Sequence, residues 1–259
     1  MKIFGQHDRN TLAQFEQVRA NAVDAALMAD GHVGYVMPIG GVAAYRDQVS
    51  VVGVGFDIAC GNAAIRTSMS LTDLGGDPVR VRKALTGLAD EIADTVSFGI
   101  GRRNESSDAP VDDPLFDDPA WDAVPVKYRK GLRVKARQQL GTVGSGNHYV
   151  DIFADEHDAL WVGVHFGSRG FGHTVASGFL ALGQGKDWAT RVPEREVLLD
   201  VKDPLGHDYW HLMNLPAATR TSAASGSRAR SCGCWVRRSW SWCTTTTTSR
   251  GASSIMARR

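Results

Sequence analysis

The sequence predicts an α/β protein of the mixed α+β kind, and three features predict it. Short apolar runs that end at glycines read as strands. Stretches with apolar residues every three or four positions, opened by a capping residue or a proline, read as helices. The 43% of hydrophobic residues in a chain of 259 can bury a substantial core, as one large domain or two small ones.

In chain order, Asn10-Thr11-Leu12-Ala13-Gln14-Phe15-Glu16-Gln17-Val18 places apolar residues at 12, 15 and 18 behind the capping residue Asn10, which predicts an amphipathic helix. In Ala26 to Gly41, short apolar runs are broken by glycines. Asp30 and His32 there either line a site or belong to a turn whose aspartate bonds its own backbone. Val51-Val52-Gly53-Val54-Gly55-Phe56 reads as a buried strand that empties into Asp57-Ile58-Ala59-Cys60-Gly61-Asn62. A carboxylate and a thiol three residues apart on such a loop can converge on one ion, Asp57 as a hard oxygen and Cys60 as a soft thiolate. The alternative is that Cys60 is a small buried hydrophobe and Asp57 caps the next turn. Ala63 to Thr67 reads as a strand, and Pro78 opens a helix that runs to about Val96. Residues 98–120 are rich in Gly, Asp, Ser and Pro and read as a surface loop or insertion. A helix follows over Lys127 to Arg137, with six basic residues in eleven. Such a face contacts either solvent or a phosphate backbone.

Leu140 to His148 is rich in glycines and small residues whose backbone N–H groups can approach an anion closely, but it lacks the lysine and Ser/Thr ending of a Walker A loop. His148 opens the strand Tyr149-Val150-Asp151-Ile152-Phe153. His165 closes the strand Leu160 to Val164, and Ser168 and Arg169 follow on a glycine-flanked turn, where an arginine can fork onto a phosphate. Two histidines at strand ends, with an aspartate and a cysteine available from another strand end, make a four-ligand inventory of the metal-site type. Ligand softness alone points to zinc.

Charge and cysteine divide the chain. Residues 216–259 carry eight arginines and no acidic residue, which leaves residues 1–215 with a net charge of −7. Cys60 is the body's one cysteine, against Cys232, Cys234 and Cys243 in the tail, so a disulfide framework within the body is excluded. No apolar run approaches the roughly 20 residues of a membrane span, and the N-terminus lacks the apolar stretch of a signal peptide. The expectation is a cytoplasmic protein without a membrane partner.

Three stretches together, Asp57-Ile58-Ala59-Cys60-Gly61-Asn62, Gly141-Thr142-Val143-Gly144-Ser145-Gly146-Asn147-His148-Tyr149-Val150-Asp151 and His165-Phe166-Gly167-Ser168-Arg169-Gly170, resemble the RtcB family of RNA ligases. The resemblance runs from about residue 20 to 215. It implies an RtcB-like fold, of which this chain carries the N-terminal portion, as a monomer. It further implies manganese and GTP as cofactors, and RNA as partner, in the form of tRNA halves or broken RNA ends. The implied reaction joins a 2′,3′-cyclic or 3′-phosphate end to a 5′-hydroxyl end. It assigns Asp57, Cys60, His148 and His165 as metal ligands, places Asn147, His148, Tyr149, Val150 and Asp151 against the guanylate, and offers Ser168 and Arg169 to the RNA phosphate. Ala59 and Ser145 stand where many members have glycine, and Asn62 where many have methionine.

The tail departs further. Family members continue well over a hundred residues past the helix His211-Leu212-Met213-Asn214-Leu215. They supply there another metal-binding histidine and the histidine that takes the guanylate. Residues 1–215 are therefore expected to form an RtcB-like catalytic fragment, and residues 216–259 an aberrant, unstructured tail without a catalytic nucleophile. Read one nucleotide earlier, the codons of Trp242-Cys243 and the threonines from Thr244 to Thr248 spell Val, then His or Tyr, then residues drawn from His, Asn, Asp and Tyr. That pattern allows the family's histidine cluster, with Thr247 standing at a ligand position. A one-nucleotide frameshift near Leu215 accounts for it, and an intact frame in the resequenced gene would refute it. On this account Cys232-Gly233-Cys234 is a by-product rather than a redox motif. Two rival readings remain: a metal- and RNA-binding remnant without catalysis, and a metal-dependent phosphohydrolase using the same four ligands.

Overall fold

The structure, a computed structural model, describes residues 2–103 and 114–224. Its elements in chain order are β1 (Lys2–Ile3), α1 (Arg9–Arg19), β2 (Asp24–His32), β3 (Ile39–Ala44), β4 (Gln48–Ser50), α2 (Val51–Val54), β5 (Gly61–Ser70), α3 (Pro78–Thr95), two 3-10 turns (Pro114–Asp117 and Pro119–Ala123), α4 (Val126–Gln139), β6 (Tyr149–Ala154), β7 (Ala159–Phe166), α5 (Arg169–Gly183), β8 (Leu198–Asp200) and α6 (Pro204–Ala224). Helices and three separate small sheets make the mixed α/β class that the sequence predicts. The chain forms two compact units, each assembled from three stretches of sequence.

The first unit takes Met1–Ile58, Asp117–Leu132 and Phe171–Leu215. Helix α1 starts two residues earlier than expected, because the Asp8 carboxylate caps it by accepting from the backbone N–H of Asn10 and Thr11 at 2.8 and 3.0 Å. Its Phe15 packs with Ala25 and Leu27 of β2, which pairs in parallel with β1 and antiparallel with β3. Asp30 and His32 lie in β2 rather than in a turn, and the His32 ring bonds the Asp30 carbonyl at 2.9 Å.

The expected buried strand from Val51 to Phe56 is instead one turn of helix, α2, that follows directly on the short strand β4. Ser50 ends the strand by capping α2, its hydroxyl accepting from Gly53 N–H at 2.8 Å, and hydrophobicity alone does not distinguish the two conformations. Val51 and Val52 are buried as anticipated. Behind them, an aromatic cluster fills the core. Trp121 meets Phe171 with ring centroids 5.1 Å apart, and Phe179 meets both Trp188 and Tyr209. The Tyr209 hydroxyl donates to the Val51 carbonyl at 3.4 Å, and burial pushes its ionisation well above the usual phenol range.

The second unit takes, of the described residues, 59–103, 114–116, 133–170 and 216–224. Its sheet has the order β5-β7-β6 with both neighbours antiparallel to β7, so the continuous apolar run of β7 lies at the centre. The β6–β7 turn is held by Asp155. Its carboxylate accepts from Trp161 Nε1 and from the backbone N–H of His157 and Ala159 at 2.8 to 3.0 Å, which keeps it below the usual carboxylate range. Asp77 caps α3 in the same way, ahead of Pro78.

The expected loop over 98–120 is only partly described. Residues 104–113 lie outside the described set, while Phe116 is buried, with the Arg137 guanidinium 4.5 Å over its ring. On α4, Arg129 turns back to Asp122 at 2.6 Å. Lys127 lies 4.9 Å over the Tyr128 ring, so at least three of the six cations on the basic helix have local structural partners. No helix among the described residues is long and apolar enough to cross a membrane. Helix α6 continues past Leu215 to Ala224, and residues 225–259, with Cys232, Cys234, Cys243 and Thr247, lie outside the described set.

Candidate metal centre

The second unit's sheet gathers three of the four expected ligands at one edge. Because β5 and β6 both run antiparallel to β7, their starts lie beside its end. Cys60 immediately precedes β5, His148 immediately precedes β6, and His165 is one residue from the end of β7. Cys60 Sγ lies 3.4 Å from Nε2 of His148 and 3.4 Å from Nε2 of His165, and the three ligand atoms fall within 4.8 Å of one another. Sulfur and imidazole nitrogen bound to one tetrahedral divalent ion stand about 3.5 Å apart, so the spacing fits a shared cation.

The opposite ring nitrogens strengthen that fit. His148 Nδ1 lies 2.7 Å from the Val143 carbonyl, and His165 Nδ1 lies 2.8 Å from Asn62 Oδ1. Both partners are acceptors, and the Val143 carbonyl lies nearer to His148 Nδ1 than the Arg169 guanidinium does at 3.2 Å, so the Nδ1–H tautomer fits both rings and leaves each Nε2 lone pair toward Cys60. Asn62 faces His165 by strand register on one side, and Tyr149 does so on the other. The Tyr149 hydroxyl donates to the same Asn62 oxygen at 3.1 Å, and its ring stacks on His165 at 5.8 Å. Asn147 Nδ2 lies 3.4 Å from His165 Nε2.

Asp57 is not among the converging groups. It belongs to the first unit, in the bend after Gly55, whereas the three converging groups belong to the second. Of the other expected contacts, Val150 and Asp151 lie further along β6, where with Ile152 they face Leu85, Ala89 and Phe98 across a cavity of about 290 Å3. Arg169 is the first residue of α5 rather than part of a turn, with φ +59°. Its guanidinium is directed to Thr142 Oγ1 at 3.4 Å and the Gly99 carbonyl at 3.3 Å, and lies 3.2 Å from His148 Nδ1. A Cβ on Gly144 would come within 2.0 Å of it; glycine is required there both for that approach and for the backbone φ of +105°. Ser168 precedes α5 and is half-buried.

Comparison with known proteins identifies the family. A family model described as tRNA-splicing ligase RtcB matches residues 11–130 and 120–225. The chain belongs to the RtcB family. It is 30% identical over 232 residues to a tRNA-splicing ligase RtcB of Archaeoglobus fulgidus, covering 73% of this chain and 47% of that protein. It is 33% identical over 236 residues to one of Thermococcus kodakarensis, covering 74% and 47%. It is 32% identical over 166 residues to the RNA-splicing ligase RtcB of Escherichia coli K12, covering 61% and 40%. The chain thus spans about half the length, or less, of these curated relatives.

Within this RtcB-family chain, Asn62 is the site residue that sequence reasoning passed over, as a departure from methionine. Its role is set by cross-strand register, which no local pattern reveals. Ala59 is the other departure with a visible consequence. Its φ of +62° is a left-handed conformation that costs a residue with a Cβ roughly 1–2 kcal/mol. Glycine gives part of that back through the freedom of its unfolded chain. Ala59→Gly is therefore expected to stabilise the protein by about 0.5–1 kcal/mol in urea unfolding, with metal affinity unchanged.

Proposed function

We propose that this chain carries the metal-binding part of an RtcB-type RNA ligase, in which manganese and GTP serve the joining of RNA 2′,3′-cyclic phosphate or 3′-phosphate ends to 5′-hydroxyl ends. The observation that carries the reading is the convergence of Cys60 Sγ, His148 Nε2 and His165 Nε2, with both Nδ1 protons taken up by fixed acceptors. The relatives' names, RNA-splicing and tRNA-splicing ligase, supply the substrate class.

Cys60, His148 and His165 would hold the cation, with Asp57 brought to it as a fourth, harder ligand. When bound, it would offset negative charge on phosphorus-bound oxygens. Asn62 and the Val143 carbonyl hold the two imidazoles in the tautomer that can ligate. Asn147 and Tyr149 flank the ligand face of His165, where a guanylate would lie, and Asp151 follows on the same face of β6. Ser168 and Arg169 stand at the start of α5, and Arg169 adds a positive charge beside the glycine loop for the RNA phosphate. The last histidine of the sequence is His211, so residues 212–259 supply no imidazole to take the guanylate. The chain is accordingly expected to bind metal and nucleotide without forming a covalent adduct, as a protein of the cytoplasm.

Labelled GTP tests this. The expected result is Mn2+-dependent retention of GTP under native conditions, weakened by His148→Ala, with no label surviving denaturing electrophoresis. Failure to retain GTP with Mn2+ present overturns the nucleotide part of the proposal. Covalent label overturns the inactive part. Release of phosphate from RNA ends without GTP would replace ligation by hydrolysis.

A further inference from the structure

Helix α6 carries His207 and His211, four residues apart and therefore one above the other on the same face. Both are exposed, and their ring centroids lie 4.3 Å apart at an interplanar angle of 51°. The surroundings are acidic. The Asp208 carboxylate lies 3.8 Å from His207 Nδ1, and Asp203 precedes the first helical turn. The cation close by in sequence, Lys202, is already paired with Asp47. Buried Tyr209 and Leu212 anchor the other side of the helix, so the exposed histidine pair is held on a rigid element.

We infer that His207 and His211 form a second metal site, a two-imidazole chelate for a late first-row divalent cation such as Ni2+, Cu2+ or Zn2+. Imidazole pairs select these ions over the harder Mg2+ or Ca2+. An ion about 2.0–2.1 Å from each nitrogen holds the two donors about 3 Å apart, which exposed rings at this separation reach by side-chain rotation. The second imidazole binds intramolecularly once the first has bound, and this chelation separates the pair from the protein's lone exposed histidines. Bound metal staples the first two turns of α6. The site is independent of the Cys60 centre and stands or falls without it.

The test uses the full chain carrying Cys60→Ser and His148→Ala, which disables the first centre, with Ni2+ alone as the probe in equilibrium dialysis. His207→Ala and His211→Ala, each added singly, are expected to weaken Ni2+ binding at least about tenfold, while His32→Ala leaves it unchanged. Adding Trp210→His to His211→Ala is expected to restore most of the affinity, because positions three apart also share a face and Trp210 is exposed. Ni2+ should also protect both His207 and His211 from carbethoxylation in the parent. Unchanged Ni2+ binding in either single variant, or protection of one ring but not the other, overturns the inference.

Discussion

Replacing Cys60 by serine is expected to weaken binding of Zn2+ or Mn2+ at the sheet edge by about a hundredfold or more, since it removes the anionic ligand and leaves two neutral imidazoles. The thiolate is the shared neighbour, 3.4 Å from each histidine nitrogen, so no ligand pair in the cluster survives its loss except His148 with His165. Asn62→Ala is expected to act at one remove. It leaves all three ligands in place but frees the His165 ring to turn, costing about 10–100-fold. Competition against a chelator of known affinity measures both. Wild-type affinity in Cys60→Ser would show that the ion is held elsewhere.

Truncating Trp121 to alanine is expected to destabilise the first unit by about 3–5 kcal/mol, the range for removing a large aromatic side chain from a packed interior. Trp121 is fully buried in a 3-10 turn, against Phe171 of α5. Its turn is fastened by the Asp118 cap and by the Asp122–Arg129 pair at 2.6 Å, so the vacated volume cannot readily collapse. Urea unfolding followed through the remaining tryptophans reads the loss. A change below about 1 kcal/mol would place Trp121 outside any cooperative core.

Much of this organisation was legible in the residues. Regular periodicity and capping chemistry marked α1, α3 and α4, and the apolar runs before and after the His148 loop marked β6 and β7. Cys60, His148 and His165, the three groups that converge, could be found because they sit at strand ends beside glycines. The run from Val51 misled, because a four-residue apolar stretch has no period, and a single serine hydroxyl decided for helix. Asp57 stands three residues before Cys60 in sequence, with the left-handed Ala59 between them, and the boundary between the two units falls in that stretch. Asn62 and the Val143 carbonyl could not be read at all. One acts through pairing across the sheet and the other through a backbone oxygen, and neither leaves a mark in side-chain spacing. The division into two units, each drawn from three separated stretches, is likewise invisible to a reading that proceeds along the chain.

The proposed function requires that the β5, β6 and β7 ends hold one divalent ion. Anomalous diffraction from crystals of the full chain soaked in Mn2+ tests it most directly. The predicted result is a single strong peak bonded to Cys60 Sγ and to Nε2 of both His148 and His165, at about 2.0–2.5 Å from each. Saturating Mn2+ that leaves this position empty, or that binds through Nδ1 after displacing Val143 and Asn62, would contradict it.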